Sequence, residues 1–321
     1  MTAAAFLLGV AGQYRLPLVL LLGVGTAQGS HSGISPLAMQ LQALSGTRGF
    51  ACVTGAGNES GFRHHYPGRL SPDQAYEDVE LRVADSTAGF SMELWADVSE
   101  LYTVGFVSPS GEVIERLPLA VGQETTVSFQ LDATHIFISY QITEASSGRF
   151  LAFLRFTAPA PGIWHIRVYP TLFVSGQFHI WLPMQEFLTE DTGFLRPDPD
   201  ITITDPGNAP LLLTVSTYNH VTGSLYIHSS RGFTATGEIK PDLAAPGVEV
   251  QGPGLPRQDG STFSGSTREA ISSSATSPLT RKTGSSVAAA IAAGAVASLF
   301  SWGFTQGNDL TLTSISVKSI L

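Results

Sequence analysis

A serine at the start of an alanine-rich segment is the best-placed nucleophile in this sequence. Gly284, Ser285 and Ser286 lead directly into a run of alanine and valine with helical character. A hydroxyl in the first turn of a helix lies beside unpaired backbone N–H groups and the positive end of the helix dipole, which stabilise a developing oxyanion. Taken alone, the segment favours a plainer interpretation, in which Ser286 is only the N-cap of the helix.

Two further segments carry polar groups that could act with this serine. Thr54–Ser60 contains two glycines and Asn58, and it directly follows the apolar run Phe50–Val53. Glycine lets the backbone approach a ligand closely, and an asparagine at the carboxyl end of a strand can direct its amide into the crevice above a sheet. Lys240–Gly247 reads Lys-Pro-Asp-Leu-Ala-Ala-Pro-Gly. Each segment by itself is most simply a turn.

Both ends of the chain show the pattern of an α/β unit. Leu16–Leu22 and Phe50–Thr54 are apolar runs of strand length, and Pro36–Ala43 between them has helical spacing. Continuous apolar strands separated by helices are typical of a parallel sheet covered on both faces. The pattern returns in the last third of the chain, with a strand predicted at Leu211–Val215 and a helix of small residues at Ser286–Trp302.

Three less regular features lie in that last third. Tyr218–Ile227 resembles a hairpin, and Val248–Val250 is a short apolar run that predicts a strand. Gly252–Thr283 is rich in Ser, Thr, Gly and Pro and lacks apolar periodicity. This composition predicts a long, mobile surface loop.

The middle of the chain follows an alternating pattern instead. Polar and apolar residues alternate in seven short segments separated by Gly- and Pro-containing turns: Val79–Val83, Phe90–Trp95, Thr126–Leu131, Ile136–Tyr140, Phe150–Phe156, Trp164–Val168 and Gln177–Trp181. Many short strands without intervening helices are typical of a β-sandwich or jelly roll. We therefore predict an α/β unit in two segments, residues 1–75 and 198–321, interrupted by an all-β module at residues 76–197.

Composition excludes several classes of protein. Only 13% of the 321 residues are charged, about half of the ~25% usual for soluble domains, which argues against a charged disordered tail or a coiled coil. The net charge of −9 offers no basic surface for a phosphate backbone, so no nucleic-acid partner is predicted. The single cysteine, Cys52, excludes an intramolecular disulfide and a multi-cysteine zinc site. It lies in an apolar run typical of a buried, inert thiol, and no metal or cofactor is predicted.

The first 24 residues contain two apolar runs that could be mistaken for a secretory signal. No Lys or Arg precedes the first run, and Gln13-Tyr14-Arg15 interrupts the pair, so a helix followed by a buried strand fits better. Neither run reaches the ~18 apolar residues of a membrane span.

Taken together and in this order, the three polar segments resemble the subtilisin-like serine proteases (peptidase S8). The family's Gly-Thr-Ser nucleophile motif corresponds to Gly284–Ala288, with serine in place of threonine. Its oxyanion asparagine motif corresponds to Ala56–Glu59, and its Lys-Pro-Asp motif to Lys240–Gly247. Agreement of three ordered motifs by chance is far less expected than agreement of one.

Further segments are similar to the clostridial Csp-type subtilases, a group associated with spore germination. They share short runs of residues: Gly25–Gly33, His64-His65, Tyr218–His220, Ser229–Phe233 and Ser286–Ala290. That group carries a jelly-roll insertion between the oxyanion asparagine and the serine, where alternation alone predicts the β module. The resemblance thus implies an incomplete subtilisin-like parallel sheet with flanking helices, interrupted by a jelly roll. It suggests a cytoplasmic or spore-associated protein, although the sequence itself predicts no compartment.

The resemblance also implies roles for individual residues. Ser286 would be the acylated nucleophile, and Asn58 would stabilise the oxyanion together with the backbone N–H of Ser286. Two groups would bind substrate: the edge that pairs with its backbone, Leu22, Gly23, Val24 and Gly25, and the lining of the primary specificity pocket, Gly55, Ala56 and Gly57.

The remaining catalytic residues of the family have no counterpart in this sequence. Subtilases order them as Asp, His and Ser, and the first two precede the strand that begins here near Leu16. No Asp or His precedes that strand. His31, His64, His65 and His220 correspond to family positions outside the triad. The resemblance therefore implies a fragment or decayed copy, with more chain expected beyond Leu321 and with little peptidase activity on its own.

Three functions remain open at this stage. The first is a serine endopeptidase of protein or peptide substrates that is incomplete as given. The second is a non-catalytic pseudoprotease that binds protein partners, with association through an exposed sheet edge. The third is a carbohydrate-binding β module with Trp95, Trp164 and Trp181 as its platform, although buried strand aromatics explain these residues more simply.

Overall fold

The computed structural model describes residues 2–120, 122–254 and 279–321. Its helices alternate with strands at the two ends of the chain: α1 Thr2–Tyr14, α2 Pro36–Ser45, α3 Ser285–Phe300 and α4 Ser314–Ile320. A short 3₁₀ turn spans Gln185–Phe187, and a π-helical turn at Ser301–Thr305 extends α3.

A four-stranded parallel sheet joins the two ends of the chain. In spatial order its strands are β1 Leu18–Leu22, β2 Phe50–Gly55, β14 Leu213–Tyr218 and β15 Leu243–Pro246. The run Leu-Val-Leu-Leu-Leu in β1 and the buried run in β2 have apolar side chains on both faces. Helices cover both faces of this sheet, as predicted for continuous apolar strands.

The small residues of α3 let it pack closely on one face of the sheet. Ala288, Ala289, Ala292 and Val296 are buried against residues of β2 and β14. Together with the π-helical turn, α3 forms a segment, Ser285–Thr305, that is long and apolar enough to cross a membrane by length and composition alone. About a third of this segment is buried, on the side that packs against the sheet.

The middle of the chain, from β3 to β13, forms two antiparallel sheets that share one core. We call this part the two-sheet module. The six-stranded sheet contains, in chain order, β3 His65–Arg69, β5 Gly89–Ala96, β8 Glu124–Phe129, β9 Thr134–Gln141, β10 Phe150–Thr157 and β12 Gln177–Trp181. The five-stranded sheet contains β4 Glu77–Val83, β6 Leu101–Val107, β7 Val113–Ile114, β11 Gly162–Leu172 and β13 Gly193–Phe194. Alternate side chains of both sheets interdigitate, and Trp164 and Tyr102 are among the largest buried residues.

All seven strands predicted from alternation are present, but several neighbours were missed. β6 is the longest of these, because its sequence, Leu-Tyr-Thr-Val-Gly-Phe-Val, is almost entirely buried and does not alternate. β3 pairs with β12, so the six-stranded sheet begins at His65, ahead of the predicted boundary at residue 76.

Three predictions near the end of the chain were wrong or lie partly outside the structure. Lys240–Gly247 is not only a turn, because it contains β15, which pairs in parallel with β14. The strand predicted at Val248–Val250 lies at β16, Val250–Pro253, which pairs with β17, Leu279–Lys282. Both ends of the predicted loop Gly252–Thr283 are therefore paired, and its residues 255–278 lie outside the described part of the chain.

Candidate active site

The predicted site residues meet in one cleft of about 360 Å³ at the carboxyl ends of β1 and β2. Crevices at this edge of a parallel sheet are the usual ligand sites of α/β folds. Of the predicted residues, the cleft is lined by Leu22, Gly23, Val24, Gly25, Gly55, Gly57, Asn58 and Ser286. Ala56 is the exception, since it is fully buried behind the cleft and bonded to β14 through its backbone N–H.

Ser286 lies at the second position of α3 with its side chain exposed to the cleft. Gly284 is the N-cap and has no side chain to cap the helix, so the interpretation of Ser286 as an N-cap is wrong. The Oγ of Ser286 donates instead to the backbone oxygen of Gly23, at 3.2 Å. The hydroxyl therefore points across the helix start towards the end of β1.

Asn58 is fixed by the start of the same helix. Its Oδ1 accepts a hydrogen bond from the backbone N–H of Ser285, at 2.9 Å. The Oγ of Ser285, which is buried, accepts in turn from the backbone N–H of Gly57, at 3.1 Å. These reciprocal bonds lock the Asn58 loop to the serine turn and determine which end of the Asn58 amide faces outward.

Two hydrogen-bond donors remain open beside the serine hydroxyl. Within the described residues, neither Nδ2 of Asn58 nor the backbone N–H of Ser286 has a protein partner. Both belong to groups at the positive end of α3, where negative charge is stabilised. This pair can donate two hydrogen bonds to one oxyanion held next to Ser286 Oγ.

The Lys240–Gly247 segment packs against the turn that carries Ser286, at Gly284 and Ser285. The backbone N–H of Gly284 donates to the oxygen of Gly247, at 2.8 Å. A Cβ atom at Gly247 would lie 2.8 Å from the backbone oxygen of Gly284 and 2.6 Å from a methyl carbon of Thr217. Glycine is therefore required at position 247 for the close approach that places Ser286.

One wall of the cleft was not foreseen from the sequence. The turn between β12 and β13 of the two-sheet module contributes Met184, Glu186 and Phe187. Buried Glu59 holds this turn, because its Oε2 accepts from the backbone N–H of Gln185 at 3.3 Å and from Nδ1 of His64 at 2.9 Å. No local sequence signal marks this turn, since its role depends on how the two-sheet module packs beside the cleft.

None of the four histidines singled out from the sequence contacts Ser286 in the described structure. His64 is buried on Glu59, and its Nε2 has no partner among the described residues. His31 and His65 stack against Trp181, with ring centroids 4.0 and 5.1 Å apart respectively, and His220 is exposed in a turn.

The remaining sequence candidates have structural roles. Trp95, Trp164 and Trp181 are buried, as the simpler explanation of these residues predicted. Cys52 is fully buried, and this burial raises the pKa of its thiol to about 12, which suppresses the reactive thiolate. Among residues 2–120, 122–254 and 279–321, no three His, Cys, Asp or Glu side chains come together as metal ligands.

We predict that Gly55→Ala will displace the serine turn. A Cβ at this position would lie 2.8 Å from Oγ and 3.0 Å from the carbonyl carbon of Ser285. Overpacking of this kind costs about 1–3 kcal/mol, so urea denaturation should show a loss of that size. The control is Gly294→Ala in the same helix, where a Cβ meets nothing within 4 Å and where alanine should stabilise by about 0.5–1 kcal/mol. Equal stabilities of the two variants would contradict the prediction.

The fold is similar to that of subtilisin-like serine proteases. Residues 197–320 match the model of the subtilase family, peptidase S8, which agrees with the motifs at Lys240–Gly247 and Gly284–Ala288. This match confirms the recognition of the family from the sequence.

The structure of the CspB protease from Clostridium perfringens is similar over nearly the whole chain. The TM-score is 0.83 with 26% sequence identity, and the match covers 99% of this chain and 62% of that one. The chain thus spans less than two thirds of the length of the solved relative. No curated protein matches the sequence.

Proposed function

We propose that this chain is the nucleophile and oxyanion part of a serine endopeptidase of the subtilase family. The observation that carries the proposal is the pair of open donors, Asn58 Nδ2 and the Ser286 N–H, next to an exposed serine hydroxyl. In this assignment Ser286 Oγ attacks the scissile carbonyl carbon, and the two donors hold the oxygen that becomes negative. Collapse of the intermediate expels the amine and leaves an acyl-serine.

The substrate would lie along the end of β1. Gly23, Val24 and Gly25 follow this strand without a neighbour on the outer side in the parallel sheet, where β1 is the edge strand. A peptide in extended conformation can pair with such an edge through its backbone. Side chains of the peptide would then reach the cleft between Gly55 and the turn at residues 184–187.

The two-sheet module would be the jelly-roll insertion of the Csp-type group. Its two antiparallel sheets, shared core and position between Asn58 and Ser286 support this assignment. On this basis the subtilase part comprises residues 1–75 and 198–321, with β3 contributed to the module by the end of the first segment.

The step that the described residues do not supply is removal of the serine proton. The only hydrogen-bond partner of Ser286 Oγ within them is the backbone oxygen of Gly23, which cannot act as a base at neutral pH. We therefore propose that the chain alone turns over peptide substrates poorly or not at all. The second candidate function, a pseudoprotease that binds peptides or proteins in the same cleft, rests on this observation.

A fluorophosphonate probe tests the activity of the serine. We predict that the chain alone will show far less than stoichiometric labelling, because an unassisted serine is a weak nucleophile. Stoichiometric labelling that disappears in Ser286→Ala would overturn this prediction and show that a base is present. Adding in trans a subtilase segment that carries the family's Asp and His distinguishes the two functions. Peptide cleavage restored in this way supports a split enzyme, whereas peptide binding without cleavage supports a pseudoprotease.

A further inference from the structure

The turn Met184–Phe187 gives the cleft an acidic and aromatic wall. Among the described residues that line the cleft, the charged ones are Glu59 and Glu186, and there is no Lys or Arg. Phe187 at the same rim has 71% of its surface exposed. An exposed phenylalanine beside a carboxylate in a cleft is an arrangement that a long cationic side chain can cover.

The two carboxylates differ in availability. Glu59 is buried and already bound to His64 and to the backbone of Gln185, so its charge is engaged in fixing the turn. Glu186 is exposed, and the described structure gives it neither an ion pair nor a side-chain hydrogen bond. Its charge is therefore free to pair with a ligand, while the Glu59 contact keeps the wall in place.

We propose that this wall is a substrate subsite that takes lysine or arginine. The inference rests on the proposed function, because it places the substrate peptide in the same cleft. The methylene stem of the side chain packs on the ring of Phe187, and its cationic end pairs with Glu186. The inserted module thus determines specificity directly, through the turn between its strands β12 and β13.

Peptide binding tests this subsite without requiring turnover. The probes are fluorescein-labelled, alanine-based hexapeptides in which one position at a time holds arginine or norleucine, and the readout is fluorescence anisotropy. We expect one position at which arginine binds about three- to fivefold tighter than norleucine in low salt, the range of a solvent-exposed ion pair. This preference should weaken as salt is raised, because exposed charge pairs are screened.

Two variants attribute the preference to Glu186. Glu186→Gln should reduce the ratio of arginine to norleucine affinity to nearly one. The matched control, Glu190→Gln, removes an exposed carboxylate of the same segment that does not line the cleft, and it should retain the preference. Both side chains are exposed, so neither change threatens folding.

Two contrary outcomes separate this inference from the proposed function. Peptides that bind without a preference for arginine at any position, or a preference that survives Glu186→Gln, overturn the subsite and leave the proposed cleft standing. Failure of every peptide to bind overturns both the cleft as a substrate site and the subsite within it.

Discussion

Replacing Asp242 with alanine is expected to lower the free energy of unfolding by about 3–5 kcal/mol, the usual cost of removing one partner of a buried ion pair. Asp242 accepts from Nζ of Lys240 and from Nζ of Lys318, both at 2.6 Å, and from the backbone N–H of Thr214 at 2.7 Å. Lys240 is almost completely buried, so the variant would leave its ammonium group without a counter-charge. Burial already lowers the pKa of Lys240 to about 8 although Asp242 acts to raise it.

The measurement is urea denaturation at pH 7, with Asp73→Ala as the control. Asp73 is exposed in a loop, and its replacement should change stability by less than about 0.5 kcal/mol. The double variant Lys240→Met with Asp242→Asn removes both charges and keeps an acceptor for Thr214. It should therefore be more stable than Asp242→Ala. If Asp242→Ala were as stable as the wild type, the ion pair between Lys240 and Asp242 would not stabilise the fold as proposed.

The ion pair between Lys240 and Asp242 explains how the Lys-Pro-Asp segment affects the cleft although it does not line it. Asp242 connects the start of β15 to β14 through Thr214 and reaches α4 through Lys318. A few residues later, Gly247 accepts the backbone bond from Gly284 at the serine turn. Loss of the ion pair would therefore loosen the strand that places Ser286.

Sequence reasoning succeeded where local patterns carry the information. The apolar runs of β1 and β2 and the alternation of β10 predict strands because burial on two faces or one face dictates which residues can occur. The glycine and serine of the α3 turn were recognisable because only particular residue types permit a close approach beside a helix start. The ordered motifs placed Asn58 and Ser286 in one predicted site, and the structure brings both residues to one cleft although most of the chain separates them.

Features that depend on contacts between distant parts of the chain could not be predicted from local sequence patterns. β15 is short and contains proline, so nothing local distinguishes it from a turn until its pairing with β14 is known. Glu186 and Phe187 look like ordinary surface residues in the sequence, and only the placement of the turn between β12 and β13 brings them to the cleft. The contacts between His31 and the six-stranded sheet have the same origin.

Those contacts form a histidine cluster where the two-sheet module meets the parallel-sheet unit. His31 stacks on Trp181, and Nε2 of His65 lies 2.9 Å from Nδ1 of His179. The ring nitrogens of His31 lie 2.9 Å from the backbone oxygens of Ala27 and Ile203. His31 and His65 are buried and His179 is partly buried, so protonating one of these rings places a charge in a poorly solvated junction.

The charged surroundings of the cluster make protonation still less favourable. Burial is the main cause that lowers the pKa of His31 to about 4; the backbone oxygens of Ala27 and Ile203 act to raise it, and the guanidinium of Arg149 lowers it further. Burial also lowers the pKa of His179 to about 4, followed by the charges of Arg149 and His31. The pKa of His65 is held well below its usual value by burial and by its two histidine neighbours, against the backbone oxygens of Asp198 and Asp200. Arg149 itself pairs with Asp97, at 3.0 Å.

We predict that acid will destabilise the fold through this cluster between about pH 6.5 and 4. The unfolded chain binds a proton at each histidine near pH 6.5, whereas the folded His31 stays neutral down to about pH 4. The contribution of neutral His31 to the free energy of unfolding is therefore complete above pH 6.5. It is lost as the pH falls towards 4, for a total of about 3 kcal/mol from His31 alone. Urea denaturation at pH values between 4.5 and 7.5 measures the slope of stability against pH.

The variant His31→Gln separates the pH dependence of stability due to His31 from that due to the carboxylates, which also titrate in acid. Glutamine does not ionise, so the slope between pH 4.5 and 6 should fall by about 1.4 kcal/mol per pH unit, the value for one proton. His220→Gln is the control, because His220 is exposed and its replacement should leave the slope unchanged. Identical slopes for His31→Gln and the wild type would show that His31 takes up its proton in the folded state as readily as in the unfolded chain. The junction between the module and the parallel-sheet unit would then have to admit a charge that its burial and its Arg149 neighbour oppose.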